Sequence, residues 1–217
     1  LKLDDLAKFL TKDRKKRIEH VLSNRTRAIS ILLEDIYQGH NISAVLRTCD
    51  NLGIQDIHIF QDGNKTALSK GISLGSEKWV SLHIKDRKMS KKVYIDNLKK
   101  KGYKIISTVS SSKKGSINLE TTKFPKKIIF AFGNEEKGLT KEILDNSDFF
   151  LTVPMHGFSQ SYNISVCCAI VLSKLVSLLK TQNKFIHLTD KEKKELRVDW
   201  YKKSIKNSKS IIKNLTK

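Results

Sequence analysis

Proline is nearly missing from this chain. Pro125 and Pro154 are the only two in 217 residues, so no Pro-rich linker divides it. Cysteine is scarce as well. Cys49, Cys167 and Cys168 form no CxxC and cannot all pair, which argues against a zinc site or a disulfide frame and fits a reducing compartment. Each lies in an apolar helical pattern, which reads as core packing. No run of about 18 uncharged apolar residues occurs, so no membrane span is expected. The charged opening, Leu1 to Thr26, has no apolar signal-peptide core, and a soluble, cytoplasmic protein is expected. No internal repeat is present. Several reaction signatures are also missing. There is no G-x-G-x-x-G for a dinucleotide, no H-E-x-x-H for zinc and no G-x-S-x-G nucleophile elbow. Gly133 to Thr140 has the glycine spacing of a phosphate loop, but Leu139 stands where the lysine is needed, which excludes nucleoside triphosphate binding.

Acidic residues are the remaining shortage. Twenty-two Asp and Glu face 42 Lys and Arg, for a net charge of +20. Residues 1–27 hold nine basic residues against four acids, and residues 180–217 hold twelve against four. The two ends thus carry +13 of the +20. Basic ends on a milder centre point to a polyanion, most simply nucleic acid. The plainer alternative is a lysine-rich composition that only solvates the surface.

What remains is enough for a core, at 39% hydrophobic residues. Leu1 to Asn24 has apolar residues at helical spacing and reads as two short basic helices. Ala28 to Leu33 reads as a strand, with a loop from Glu34 to His40. Asn41 to Gly53 reads as a helix capped by Asn41 and closed by Gly53. Strands follow at Gln55 to Phe60, Trp79 to Ile84 and Tyr103 to Val109. A Ser/Gly-rich stretch, Thr66 to Ser76, follows the first of these, and an amphipathic helix, Met89 to Lys101, precedes the last. Ser110 to Gly115 is a polar loop. The tail, His187 to Lys217, has anchors such as Trp200, Ile205, Ile211 and Ile212 that are too sparse for a core of their own. Strands alternating with helices argue for an α/β fold with a mainly parallel sheet flanked by helices. Expected regions are a basic helical arm at 1–27, a central domain at 28–180 and a second basic helical arm at 181–217.

The chain is organised around Ile128 to Leu179. A buried strand, Ile128 to Phe132, leads into the loop Gly133 to Gly138. A second strand, Phe149 to Val153, leads into the loop Met155 to Tyr162. Asn163 then caps a helix, Ile164 to Leu179, that is apolar nearly all round. Both loops follow carboxyl ends of strands, where open α/β sheets hold ligands. On the helix after Asn41, Arg47 lies off the apolar stripe, one turn from Ser43 and from Asp50. An ion pair to Asp50 would explain it without any function.

Three segments carry a family resemblance: Asn41 to Gly53 (NISAVLRTCDNLG), Phe132 to Leu139 (FGNEEKGL) and Val153 to Val166 (VPMHGFSQSYNISV). In order and spacing they are similar to the TrmH (SpoU) branch of the SPOUT RNA 2′-O-methyltransferases. Arg17 to Leu22 and Gly75 to Val80 resemble the TrmH subtype, and the likeness covers about residues 14 to 180. The resemblance implies a parallel α/β core with a deep C-terminal trefoil knot. It implies S-adenosylmethionine (AdoMet) as methyl donor, no metal, and a homodimer with the active site at the interface. By matched position, Arg47 is the catalytic residue nearest the 2′-hydroxyl. Asn41, Glu135, Ser161 and Asn163 surround it. Thr108, Gly133, Asn134, Gly138, Val153, Met155, Ser161 and Tyr162 line the AdoMet pocket. Tyr162 departs from the leucine that relatives often carry. A guanidinium resists deprotonation, so phosphate-assisted activation, with Arg47 orienting hydroxyl and phosphate, is easier than arginine as general base. The implied reaction is methylation of the D-loop guanosine 18 of tRNA. A ribosomal RNA methyltransferase of the same branch and a catalytically silent RNA-binding protein are the rivals.

Overall fold

A computed structural model describes residues 3–62, 75–110 and 116–205. The Ser/Gly-rich residues up to Leu74, the end of the Ser110 to Gly115 loop, and the tail anchors Ile211 and Ile212 lie outside the described residues. The chain divides into two compact units: Leu1–Thr26 together with His187–Lys217, and Arg27–Ile186.

The larger unit is built on a seven-stranded parallel sheet. Its strands are β1 (Thr26–Glu34), β2 (Ile54–Phe60), β3 (Ser81–Ile84), β4 (Lys104–Thr108), β5 (Ser116–Ile117), β6 (Ile128–Phe132) and β7 (Phe149–Leu151), in the spatial order β3-β2-β1-β6-β4-β7-β5. Strand β6 therefore enters between β1 and β4, pairing Ile31 with Phe130 on one side and Ile106 with Phe130 on the other. All five of its residues are buried. A strand covered on both faces reads as an unbroken apolar run, which is what Ile128 to Phe132 is.

Side chains alternate across the sheet. Ile29, Ile31 and Leu33 of β1 and Phe130 and Phe132 of β6 face a core closed by two helices, α3 (Gly39–Asn51) and α6 (Ile164–Thr181). Leu32, Ile129 and Ala131 face the opposite core, closed by α4 (Lys91–Lys100) and α5 (Lys141–Asp145). Gly53 ends α3 with φ of 79°, the left-handed backbone that favours glycine. Helix α6 buries Ile164, Cys168, Val171, Leu172, Leu175 and Val176. It is also long and apolar enough, by composition alone, to cross a bilayer, although Lys174 and Lys180 interrupt it. Burial pushes the Cys167 thiol up to about 11. Burial raises Cys168 too, reinforced by the hydrogen bond and field of Cys49. Thiols held protonated in this way act as packing groups.

In the smaller unit, α1 (Leu3–Ala7), α2 (Lys12–Ser23) and α7 (Asp190–Ser204) pack together. Leu6, Ile18, Leu22, Leu196 and Trp200 are buried, and the Arg25 guanidinium lies 5.3 Å over the Trp200 ring. Arg197 forms a two-point ion pair with Glu19, with hydrogen bonds of 2.5 and 2.7 Å. The described anchors of α7, Leu196 and Trp200, are thus buried where α7 packs on the N-terminal helices.

Candidate active site

Three loops meet the carboxyl edge of the sheet near its centre: β1 to α3, β6 to α5, and β7 to α6. Helix α3 begins at Gly39, two residues earlier than the sequence suggests, and Gln38 takes the capping position. Asn41 is therefore inside the first turn. Its amide is not used as a cap, and although only 2% exposed it makes three contacts. Asn41 Nδ2 donates to Glu135 Oε1 at 2.6 Å and to Gln38 Oε1 at 3.3 Å. Its Oδ1 accepts from Asn163 Nδ2 at 3.1 Å. Asn163 does cap α6, its Oδ1 accepting from Ser165 N at 2.9 Å. One asparagine thereby ties the three loops into a line, Glu135–Asn41–Asn163.

The loop carrying Glu135 is closed on itself. Asn134 and Gly138 exchange backbone hydrogen bonds of 3.1 and 2.9 Å. Asn134 Oδ1 also accepts from Glu136 N and Lys137 N at 2.8 and 3.1 Å. Gly138 has φ of 68°. A Cβ on Gly133 would come within 2.2 Å of the Gly138 backbone, so only glycine closes the loop.

The loop carrying Ser161 is held more lightly. Strand β7 ends at Leu151, so Thr152 and Val153 belong to the loop, contrary to the longer strand expected. Tyr162 Oη donates to Pro154 O at 3.3 Å. Val153 packs on the core, Met155 is half-buried, and Ser161 is exposed with no hydrogen bond among the described residues. Phe158 is fully exposed. Thr108, at the end of β4, donates its hydroxyl to Ala131 O at 2.9 Å and pairs with Leu151 of β7 in the sheet.

Arg47 is exposed and forms no ion pair with Asp50 or any other described residue. The ion pair with Asp50 that would account for Arg47 without a function is absent. The structure brings together Asn41, Glu135 and Asn163 by direct hydrogen bonds, and leaves Arg47 and Ser161 without a hydrogen bond to them. Two participants were not legible in the sequence. One is Gln38, whose only signal was a polar residue near a helix start. The other is the pair Glu34 and Asp35, placed at the start of a loop but packed directly behind Glu135's loop.

The seven-stranded parallel sheet flanked by helices matches the SPOUT-type methyltransferase fold. Within it, the chain belongs to the SpoU rRNA methylase family, whose model matches residues 28–173. A curated relative, the tRNA (guanosine(18)-2′-O)-methyltransferase of Borreliella burgdorferi, is 40% identical over 97% of this chain and 94% of its own. The enzyme of the same description from Aquifex aeolicus is 32% identical over 73% of this chain and 74% of its own. Among solved structures, the A. aeolicus TrmH/SpoU tRNA modifying enzyme superposes with a TM-score of 0.77 at 27% identity, covering 89% of this chain and 97% of that one. The fold alone is shared with the SpoU methyltransferase AviRb of Streptomyces viridochromogenes in complex with AdoMet, at a TM-score of 0.62 and 17% identity over 75% of this chain and 62% of that one.

Proposed function

We propose that this protein transfers a methyl group from AdoMet to the ribose 2′-hydroxyl of guanosine 18 in tRNA. The observation that carries the reading is the line Glu135–Asn41–Asn163, which draws the family's three sequence segments into one place. The Borreliella and Aquifex relatives support the substrate. Ribosomal RNA is the second reading, favoured by the description of the family.

Methylating a ribose hydroxyl requires that it be oriented, that its phosphate be held and that its proton find an acceptor. Arg47 suits the first two tasks. Its fork of donors can reach hydroxyl and phosphate together, and no described carboxylate competes for it. Asn41 is fixed on both sides, which costs it freedom before substrate arrives rather than during reaction. Glu135, exposed beyond its bond to Asn41, has acceptor capacity to spare. Ser161 and Asn163 complete the polar wall.

Thr108, Gly133, Asn134, Gly138, Val153, Met155 and Tyr162 would hold AdoMet, which supplies an electrophilic methyl. The fit has local support. Thr152 Oγ1, one residue before Val153, is buried with no partner among the described residues. A polar ligand in that loop would satisfy it. The reading also includes a trefoil knot in the C-terminal part, terminal helices that bind tRNA phosphates, and a cytoplasmic location. It includes a homodimer with the active site at the interface. Val166 and Ile170 on α6 are exposed apolar residues beside a groove lined by Ser173, Lys174 and Ser177, and a second copy would cover them.

The test is methyl transfer from labelled AdoMet to a tRNA transcript and to the same transcript with 2′-deoxyguanosine at position 18. Label on the first and none on the second is expected. Equal labelling of both would rule out this site of methylation.

A further inference from the structure

We propose that Glu34 and Thr140 form a buried clamp that holds the 133–140 loop in the shape that presents Glu135 to Asn41, and so act as positioning residues for methyl transfer. The catalytic part of this inference rests on the function proposed above.

Glu34 ends β1 and is 1% exposed, an expensive place for a carboxylate unless it is fully compensated. It is compensated. Its Oε1 accepts from Lys91 Nζ and from Thr140 Oγ1, both at 2.6 Å, and its Oε2 accepts from Thr140 N at 2.8 Å. Burial alone would lower the pKa of Lys91. The hydrogen bond and field of Glu34, with Asp35 and Asp62 beyond, outweigh burial and raise it, so Lys91 stays charged. A buried salt bridge is thus built behind the loop, and its Glu34 is 106 residues in sequence from Thr140.

The use made of Thr140 shows what this pair is for. Thr140 sits at the capping position of α5, with extended backbone at φ of −65° and ψ of 156°. Thr11, Ser90 and Thr189 stand at the same position of α2, α4 and α7, and each accepts a bond from its own helix. Thr140 makes no such bond. Its hydroxyl is turned to Glu34 instead, so the side chain serves a distant partner rather than its own helix.

The other end of the loop is fixed to the next residue of the chain after β1. Asn134 Nδ2 donates to Asp35 O at 2.8 Å. Asp35 has φ of 48°, uncommon for a residue with a side chain, and its N–H is held by Phe60 O at 2.9 Å. Both ends of the loop are therefore pinned to two adjacent residues, and Glu135 lies between the pins. Its direction toward Asn41 follows from where those ends are held.

The experiment compares Thr140→Val, Thr140→Ser and wild type. Valine keeps the shape and the backbone amide that bonds Glu34 and puts a methyl in place of the hydroxyl; serine restores the hydroxyl. Hydrogen exchange at the Glu136 and Gly138 amides reads the loop in the protein alone. Methyl transfer to tRNA reads the chemistry. The expected result is faster loop exchange in Thr140→Val, kcat lower by about ten- to a hundredfold, KM for tRNA unchanged, and serine near wild type on every count. Unchanged exchange in the valine variant overturns the clamp. Faster exchange with unchanged kcat overturns its positioning role, as does a loss explained entirely by a lower melting temperature. Wild type that transfers no methyl to tRNA defeats the proposed function instead, and the exchange comparison still decides the clamp.

Discussion

Asn41→Asp changes one group of one side chain and should be felt in both stability and chemistry. The Asn41 amide donates to Glu135 at 2.6 Å, a hydrogen bond to a charged acceptor. Such bonds contribute about 1.5–3 kcal/mol, and the exposed far side of Glu135 argues for the lower end. Aspartate turns attraction into repulsion. Two ionised carboxylates about 4 Å apart in a medium of effective dielectric near 20 repel by roughly 4 kcal/mol. The protein relieves this by swinging Glu135 outward or by binding a proton. The net destabilisation near neutral pH should therefore be about 2–4 kcal/mol. The sign with pH follows. A proton shared between the carboxylates raises one folded-state pKa above its unfolded value of about 4. The folded state then binds more protons, so stability falls as pH rises through the raised value and is regained below it. Urea denaturation of variant and wild type near pH 8 and near pH 5 is the assay. The deficit should shrink at the lower pH. A deficit under about 0.5 kcal/mol, or one that does not change with pH, would refute the Asn41–Glu135 contact.

Other perturbations probe other parts of the account. Arg47→Ala should lower methyl transfer by roughly a hundredfold or more while leaving the melting temperature nearly unchanged, since Arg47 is exposed and unpaired among the described residues; equal losses of both would make it structural. His58 should give the protein an acid-labile limb. Burial, then His83, lower its pKa from 6.5 to about 4 against the opposing pull of Asp56. A depressed histidine stabilises above its unfolded pKa and loses that contribution as pH falls from about 6.5 toward 4, by on the order of 3 kcal/mol. His58→Asn should flatten that limb in denaturation curves. Replacing Lys12, Lys16 and Arg17 by glutamine should make the slope of log affinity for tRNA against log salt shallower, by up to about 0.7–0.9 for each phosphate the protein no longer neutralises. Point changes suit this test better than deletion of the tail, because α7 packs with α1 and α2. Ile170→Glu, on the open face of α6, should shift sedimentation from dimer to monomer; a monomeric wild type would contradict the dimer.

Much of the fold was legible because its signals are local. β6 is five apolar residues, and Gly53 marks the end of α3 by a backbone that glycine adopts freely. The loops of the candidate site follow from three segments in fixed order. What was not legible is mostly short or distant. α5 has five residues and β5 two, too few for a period to show. Asn41 looks like a cap because asparagine is a good one, but Gln38 takes the capping position and leaves the Asn41 amide to Glu135 and Asn163. Glu34 reads as the first residue of a loop, since charge at a strand end is ordinarily solvated. Its burial depends on Lys91 and Thr140, neither of them near in sequence. The joining of α2 and α7, tied by Arg197 and Glu19, is likewise invisible to any local pattern.

The central claim is that this chain methylates one ribose in tRNA. Mapping ribose methylation by mass spectrometry tests it most directly, on bulk unmodified tRNA and on ribosomal RNA incubated side by side with the protein and AdoMet. The account predicts a new methyl on the ribose of guanosine 18 in tRNA and none in ribosomal RNA. A methyl on ribosomal RNA alone, or on neither, would contradict it.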